Sequence, residues 1–217
     1  MITEITKNKS IANQFMAELR NKDVQGNRMR FRKNMERLSH ILGYEISKSL
    51  VYHNKSIETP LGVANMALPQ KDIVIASILR AGLTMHHGML DIFDGAENAF
   101  VSAYRQETND GTIKVKVEYK ACPELEGKTL IIADPMLATG QSMELVFQAL
   151  LENGTPEKLI IASIVASQQA IEHIETVLPE GTDIWVVSID PELNQKSYIV
   201  PGLGDAGDLA YGVKRSE

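Results

Sequence analysis

The sequence contains a single cysteine, Cys122, among 217 residues, which excludes an internal disulfide bond. Sparse cysteine is typical of proteins from reducing compartments, so we expect a cytoplasmic protein. No run of apolar residues approaches the ~20 that a membrane helix needs. The amino-terminal MITEITKNKS also lacks the apolar core of a signal peptide. The sequence therefore predicts a soluble protein with no membrane partner.

An excess of positive charge is also missing. The formal net charge is -6, from 28 acidic and 22 basic residues. This balance disfavours nucleic acid as the main partner, although a local basic pocket for one phosphorylated metabolite is compatible with it. Apolar runs are spread evenly, and there are no repeats or low-complexity tracts, so we expect residues 1–217 to form one domain.

Apolar, β-branched runs alternate with helix-like segments, which is typical of a parallel α/β sheet. The predicted strands are Ile73–Leu79, Ala99–Tyr104, Thr129–Ala133, Leu159–Ala166 and Ile184–Ile189. In Ile113–Tyr119, IKVKVEY, apolar and charged residues alternate, which predicts a half-exposed antiparallel strand or hairpin arm. We expect this arm to project from the sheet and to pair with another subunit.

A long amphipathic helix is predicted from Phe31 to Leu50, where apolar residues recur at helical spacing. Its start carries a basic cluster: Arg28, Arg30, Arg32, Lys33 and Arg37. A solvated helix face explains such a cluster without any further function. Contact with an effector nucleotide or a phosphate is the alternative.

The segment Leu130–Met143, LIIADPMLATGQSM, carries the strongest functional signal. It reads as a buried strand that ends in Asp134, then a loop of small residues, then a helix over Met143–Leu151. Ala138 and Gly140 let the backbone approach a ligand, Thr139 and Ser142 supply hydroxyls, and the helix start offers unpaired N–H groups. This pattern favours a phosphate site, with an ordinary capped turn as the alternative.

Two common phosphate motifs are absent, since no GxxxxGK[ST] occurs and no GxGxxG follows the strand. LIIADPMLATGQS resembles instead the phosphoribosyl pyrophosphate (PRPP) loop of the type I phosphoribosyltransferases. That family's general pattern has two adjacent acids, and Ala133 stands at the first of these positions. With its Pro-Met-Leu insert, this form is similar to the uracil phosphoribosyltransferases.

Further segments resemble the same branch, in the correct order from about Gly26 onward. They are TPLG (Thr59–Gly62), SILRAGLTM (Ser77–Met85), AYRQET (Ala103–Thr108), SIDPELN (Ser188–Asn194) and NQKSYIVPGLGDAGDLAYG (Asn194–Gly212). The resemblance implies an α/β fold of the type I phosphoribosyltransferase kind, a parallel β-sheet flanked by helices. It also implies a small hood from the N- and C-terminal segments and a projecting β-arm.

The implied reaction is transfer of the 5-phosphoribosyl group from PRPP to uracil, giving UMP and pyrophosphate in pyrimidine salvage. The catalytic residues implied are Asp134, Arg105 and Asp205. The implied PRPP-binding residues are Arg80, Arg105, Asp134, Pro135, Met136, Leu137, Ala138, Thr139, Gly140, Gln141, Ser142 and Asp205. The implied uracil-binding residues are Tyr198, Ile199, Gly204, Asp205 and Ala206. Gln141 replaces a glycine common in this branch, and we expect its side chain to face solvent.

Mg²⁺ is the expected cofactor, held mainly by substrate oxygens and water, with no direct protein ligand and with Asp205 acting through water. The sequence shows no His or Cys cluster at metal-ligand spacing. His86 and His87 are interpreted as structural or surface groups, with a role in the site as the alternative because they follow Arg80 closely. No residue stands out as a general base. We expect a homodimer or higher homo-oligomer, and the sequence leaves open whether GTP is an effector.

Two other functions stay open. One is the same fold acting on another base, although the YIVPGLGDAGD segment argues against it. The other is a regulator that senses PRPP or UMP and binds RNA, like the pyrimidine-operon attenuation regulators. The acidic balance, without a dense basic face in the second half, argues against RNA binding.

Overall fold

A mostly parallel central sheet organises the fold. The structure is a computed structural model that describes residues 1–70, 72–107 and 113–214, without the side chains of residues 104–107 and 113–116. The strands are β1 (Ile2–Glu4), β2 (Tyr52–Thr59), β3 (Gly62–Pro69), β4 (Ile73–Leu79), β5 (Glu97–Glu107), β6 (Ile113–Ala121), β7 (Thr129–Ala133), β8 (Met136–Leu137), β9 (Lys158–Ser167), β10 (Asp183–Asp190), β11 (Glu192–Leu193) and β12 (Ile199–Val200).

The order of strands in the central sheet is β1-β10-β9-β7-β4-β5-β6, and β8 adds to β9. All neighbours pair in parallel except β5 and β6, which form an antiparallel hairpin. The predicted parallel α/β sheet is confirmed, and each predicted strand is present. β1 was not predicted, because three residues of mixed polarity carry no period that a sequence pattern can show.

Helices cover both faces of the sheet. They are α1 (Ile11–Arg20), α2 (Arg28–Ser47), α3 (Leu83–Leu90), α4 (Gln141–Leu150), α5 (Gln168–Val177) and α6 (Ala206–Tyr211). Alternate residues of β7 point to opposite faces: Ile131 belongs to the core that includes α2 and α3, whereas Ile132 belongs to the core that includes α4 and α5. No helix of the described ranges is both long and apolar enough to cross a membrane.

The predicted amphipathic helix is α2, and its apolar stripe of Phe31, Met35, Leu38, Leu42 and Ile46 is buried. The helix begins at Arg28, where the Asn27 side chain accepts a hydrogen bond from the Arg30 N–H. The basic cluster at its start is largely paired within the protein. Arg30 bonds Glu18, Lys33 bonds Glu36, Arg32 donates to the Ala210 carbonyl and Arg37 donates to the Asn34 side chain. These contacts favour the structural interpretation of the cluster.

Two antiparallel hairpins stand out. The segment Ile113–Tyr119 is part of β6, which pairs with β5 from Phe100↔Ala121 to Glu107↔Ile113. Because β4 pairs with β5 only as far as Ser102, the outer half of this hairpin extends beyond the sheet. A second hairpin, β2–β3, pairs only with itself among the described strands. Its residues are mostly exposed, and no pattern in the sequence predicted it.

The two ends of the chain meet over the carboxyl ends of the sheet strands. Arg20 at the end of α1 forms a two-point ion pair with Asp190 at the end of β10, at 2.6 and 2.7 Å, and donates to the Gly202 carbonyl. Gln25 donates to the Leu203 carbonyl at 3.2 Å. The N- and C-terminal segments thus form the predicted hood above the sheet.

Candidate active site

A cavity of about 380 Å³ opens at the carboxyl ends of β4 and β7, beneath the hood. This is where ligands bind in open parallel α/β sheets. The residues that line it come from four segments: Ile78, Leu79, Arg80, Ala81, Ala103, Asp134, Met136, Ala138, Ser142, Lys196, Ser197, Tyr198, Ile199, Gly204, Asp205, Ala206, Gly207 and Lys214. Arg80, Asp134 and Asp205 therefore share one cavity, although 54 positions separate the first two in the chain and 71 separate the last two.

The loop after β7 contributes Asp134 and the turn into α4. Asp134 follows the last buried residue of the strand, and its carboxylate accepts a hydrogen bond from the Met136 N–H at 3.3 Å. Met136 and Leu137 then pair in parallel with β9, so this part of the loop extends the sheet beside β9 before α4 begins. The loop residues Leu137, Thr139 and Gly140 line a smaller recess that also includes Asp134, Met136, Ala138, Ser142 and Met143.

Two features fix the shape of this loop. Gly140 has a φ of +81°, and a Cβ there would lie 2.8 Å from His173 and 2.9 Å from Ile174, so only glycine fits. The Ser167 hydroxyl donates to the Ala138 carbonyl and accepts from the Ala170 N–H. Ser167 therefore caps α5 and supports the loop at once. Gln141 is exposed, as expected.

The turn after β4 places Arg80 at the cavity. The guanidinium of Arg80 is tied to α6 by an ion pair with Asp208 at 2.9 Å and a hydrogen bond to the Gly212 carbonyl at 3.2 Å. The peptide bond between Leu79 and Arg80 is cis. Behind the turn, His86 is buried and its Nδ1 lies 2.8 Å from the Ser77 hydroxyl, whereas His87 is exposed. Neither histidine is among the residues that line the cavity.

The carboxyl-terminal segment forms the other wall. Ile199 in β12 and Ala206 in α6 are buried, Tyr198 is 43 % exposed, and Gly204 has a φ of +90°. The Asp205 side chain accepts a hydrogen bond from the Asp208 N–H at 2.9 Å and so caps α6. Gly204, Ala206 and Gly207 line the cavity with little or no side chain.

Comparison with known proteins bears on what this cavity does. The model of the uracil phosphoribosyltransferase family matches residues 5–213. The chain belongs to this family. A uracil phosphoribosyltransferase of Porphyromonas gingivalis is 52% identical over 205 residues, which cover 94% of this chain and 95% of the relative. One from Pyrobaculum arsenaticum is 38% identical and covers 92% of this chain and 94% of its own.

Solved structures share the fold of this chain. A protein from Aquifex aeolicus is 32% identical, superposes with a TM-score of 0.88 and covers 98% of this chain and 99% of its own. A hypoxanthine phosphoribosyltransferase from Staphylococcus aureus superposes with a TM-score of 0.51 at 12% identity, over 79% of this chain and 85% of its own. At that identity the second likeness shows the fold alone.

The residues that the family resemblance assigned to the site lie mainly at this cavity or its recess. Arg80, Asp134, Met136, Ala138, Ser142, Tyr198, Ile199, Gly204, Asp205 and Ala206 line the cavity, and Leu137, Thr139 and Gly140 line the recess. Pro135 is buried within the loop and lines neither space, and Gln141 faces solvent. The backbone of Arg105 lies in β5 opposite Val115, and its side chain is outside the described residues.

Several lining residues were not assigned from the sequence. Lys196, Ser197 and Lys214 flank the carboxyl-terminal segment and add two cations to the cavity wall. Asp208 pairs with Arg80, and Arg20 and Asp190 hold the backbone of Gly202 from both sides. The only sequence signal for Lys196, Ser197 and Lys214 was their position beside the YIVPGLGDAGD segment. The pairings themselves span up to 182 positions and have no local pattern.

One cluster of metal-capable side chains lies elsewhere. Glu36, His40 and Asp91 place one ligand atom each within 4.8 Å of one another, on α2 and at the end of α3. The sequence showed no such cluster, because Asp91 is distant in the chain from α2. His40 Nε2 lies 2.7 Å from a carboxylate oxygen of Asp91, and Glu36 forms an ion pair with Lys33, so these groups already have partners at the surface.

Proposed function

We propose that the protein transfers the 5-phosphoribosyl group of PRPP to uracil, giving UMP and pyrophosphate. The observation that carries this proposal is the shared cavity, in which the loop after β7, Arg80 and the glycine-rich segment Tyr198–Ala206 face one another. Membership of the uracil phosphoribosyltransferase family supports the choice of base. Each wall of the cavity matches one part of the two substrates.

The ribose 5-phosphate half of PRPP fits the loop after β7. Backbone N–H groups of residues 138–142 and the hydroxyls of Thr139 and Ser142 would hold the 5′-phosphate at the start of α4, where the helix dipole is positive. Asp134 would accept hydrogen bonds from the ribose hydroxyls. Its negative charge would then lie near C1, where positive charge develops as the bond to pyrophosphate breaks.

The pyrophosphate half needs fixed cations. Arg80 lies at the end of β4, and Arg105 follows on the neighbouring strand β5, three residues past the last pairing with β4. A guanidinium offers several N–H donors in a planar fork that suits phosphate oxygens. Stabilising the leaving group and the oxocarbenium-like centre together would carry most of the rate, since no general base is assigned.

Uracil presents an acceptor, donor, acceptor edge that peptide groups can match. Backbone atoms of Ile199, Gly204 and Ala206 would make these bonds, and Tyr198 would lie beside the base. Cytosine would place an amino group where uracil has O4, which leaves buried groups unpaired at a cost of about 1–3 kcal/mol each. Selectivity for uracil then follows without a charged side chain.

Mg²⁺ fits this site as a partner of the substrate. The cavity offers the carboxylates of Asp134 and Asp205, and Asp205 already caps α6. A hydrated Mg²⁺ on PRPP keeps several waters and needs few protein ligands, and it would neutralise pyrophosphate charge. Asp205 would orient that ion through water. A cytoplasmic location, a role in pyrimidine salvage and GTP as an effector remain predictions.

The test of this proposal compares the amounts of UMP and pyrophosphate that are formed. Purified protein with PRPP, Mg²⁺ and uracil should form UMP and pyrophosphate in equal amounts, and neither should form when uracil or PRPP is left out. Pyrophosphate without UMP would show hydrolysis instead of transfer. No product from uracil under any ionic condition would overturn the proposal.

A further inference from the structure

Asp208 makes a contact that links the two halves of the cavity. It lies in the first turn of α6, and its Oδ1 is 2.9 Å from a terminal nitrogen of Arg80, 128 positions earlier in the chain. The same guanidinium donates to the Gly212 carbonyl at 3.2 Å. Helix α6, which follows the segment proposed to bind uracil, therefore contacts Arg80, the cation proposed to bind pyrophosphate.

We propose that Asp208 is a positioning residue for PRPP binding: it holds the Arg80 guanidinium in the orientation that receives the pyrophosphate group. This inference rests on the proposed function and adds a residue to it. Asp208 itself is not among the residues that line the cavity. Its effect on PRPP is exerted through Arg80.

The geometry lets Arg80 contact Asp208 and still bind phosphate oxygens. A guanidinium carries five N–H donors, and the contacts with Asp208 and Gly212 engage one terminal nitrogen each. The remaining donors stay available for phosphate oxygens. An arginine side chain otherwise has large rotamer freedom, which must be lost when it binds an anion. Holding it in advance lowers that cost on binding.

Electrostatics alone predicts the opposite sign. The Asp208 carboxylate lowers the positive potential next to Arg80, so its removal should tighten the binding of an anion if charge were the only effect. The Arg80 and Asp208 side chains are 37% and 29% exposed. Water therefore screens much of the repulsion between Asp208 and an incoming pyrophosphate, whereas the loss of orientation is not screened. The positioning effect should decide the outcome.

The first variants to compare are Asp208→Ala and Asp208→Asn. Binding of PRPP with Mg²⁺ is measured by calorimetry without uracil, and KM and kcat are measured with uracil. We expect Asp208→Ala to weaken PRPP binding about tenfold, the size of one lost charge-assisted hydrogen bond. Asp208→Asn keeps an oxygen acceptor, so it should recover part of the loss. Asp94→Asn, at an exposed position outside the cavity, is the matched control and should match wild type.

A double-mutant cycle separates positioning from a general effect on α6. Once Arg80 is replaced by alanine, adding Asp208→Ala should cause no further loss of PRPP affinity, because Asp208 acts through Arg80. The KM for uracil should change little in Asp208→Ala. Equal losses with and without Arg80, or a parallel rise of the uracil KM, would overturn the inference in favour of a structural role.

Tighter PRPP binding by Asp208→Ala would also overturn it, in favour of a carboxylate that only neutralises Arg80. Unchanged binding in both Asp208 variants would overturn it as well, while the proposed function stood. Failure of the wild-type protein to bind PRPP would overturn the proposed function and this inference together. Alanine is favourable within a helix, so we expect Asp208→Ala to fold, and circular dichroism checks this.

Discussion

The position of Asp134 follows from where strand β7 ends. Thr129–Ala133 are all buried, so the chain reaches the edge of the sheet at the first residue that must leave the core. Asp134 lies at that edge and faces the cavity. A single apolar run followed by an acid was enough to predict this. Arg80 follows β4 in the same way.

Replacing Asp134 tests its proposed role. Asp134→Asn keeps the shape of the side chain and removes its charge, so the fold should persist while kcat falls by about 100-fold or more. Arg105→Ala should also lose most turnover. The measurement is steady-state kinetics together with thermal unfolding, and Asp94→Asn again provides the control. Near-normal rates in both variants would contradict the roles assigned.

His86 gives a prediction on pH. Burial lowers the pKa of His86 below its ordinary value, and the neighbouring His87 lowers it further, while a hydrogen bond with Asn98 raises it. The unfolded chain therefore takes up a proton at higher pH than the folded one, and stability should fall as the pH drops below about 6.5.

His86→Gln should flatten that fall. The measurement is the free energy of unfolding in urea at several pH values between about 7.5 and 5, the range around the ordinary histidine pKa. His53→Gln, on the exposed hairpin β2–β3, should keep the wild-type dependence. A pH dependence in His86→Gln as steep as in wild type would show that other groups cause it.

At the scale of elements, the buried strands and the alternating segment Ile113–Tyr119 were predictable, whereas the shortest strands and the hairpin β2–β3 were not. The runs in β4, β7, β9 and β10 are long and apolar because helices cover both faces of the sheet. Helix α4 begins at Gln141, two residues before the predicted start, because Gly140 in the left-handed region already ends the loop. The hairpin β2–β3 has little burial, so the sequence showed no clear alternation there.

The ion pair of Arg20 with Asp190 fixes the backbone of Gly202, in the segment proposed to bind uracil. The Asp190 side chain is 5% exposed, and it accepts hydrogen bonds from Arg20 and from the Gly202 N–H. Asp190→Ala should lower the free energy of unfolding by about 3 kcal/mol or more, because the Arg20 charge is left unpaired. It should also raise the KM for uracil, since Gly202 lies in the wall that would bind the base.

Denaturation in urea and steady-state kinetics measure the two effects. Glu45→Gln removes the partner of Lys48 in an exposed pair on α2 and should change neither. If Asp190→Ala unfolded at the wild-type urea concentration, the pair would contribute nothing to the hood.

At the scale of the whole molecule, the site is built from contacts that no local pattern contains. The sequence placed the loop after β7, Arg80 and the carboxyl-terminal segment through their resemblance to one family, and the structure brings them to one cavity. The pairs Arg80–Asp208 and Arg20–Asp190 join segments 128 and 170 positions apart. Such pairs depend on how the hood folds over the sheet, so periodicity and motifs could not predict them.

The assembly of the protein remains a prediction. We expect a homodimer in which the Ile113–Tyr119 arm contacts the partner, so light scattering should give twice the chain mass of 24.0 kDa. The exposed hairpin β2–β3 offers a control: shortening it should leave the mass unchanged if the Ile113–Tyr119 arm forms the contact. A single-chain mass at working concentration would count against a dimer, and loss of the dimer on shortening β2–β3 would move the contact to that hairpin.

We propose above that backbone groups of the carboxyl-terminal segment select uracil at a PRPP site. The most direct measurement is the rate of nucleotide formation from PRPP and Mg²⁺ with uracil, cytosine, adenine, hypoxanthine and xanthine in parallel. We predict product from uracil alone, with cytosine rejected because its amino group meets unmatched backbone donors. Product from another base at a comparable rate would contradict the claim.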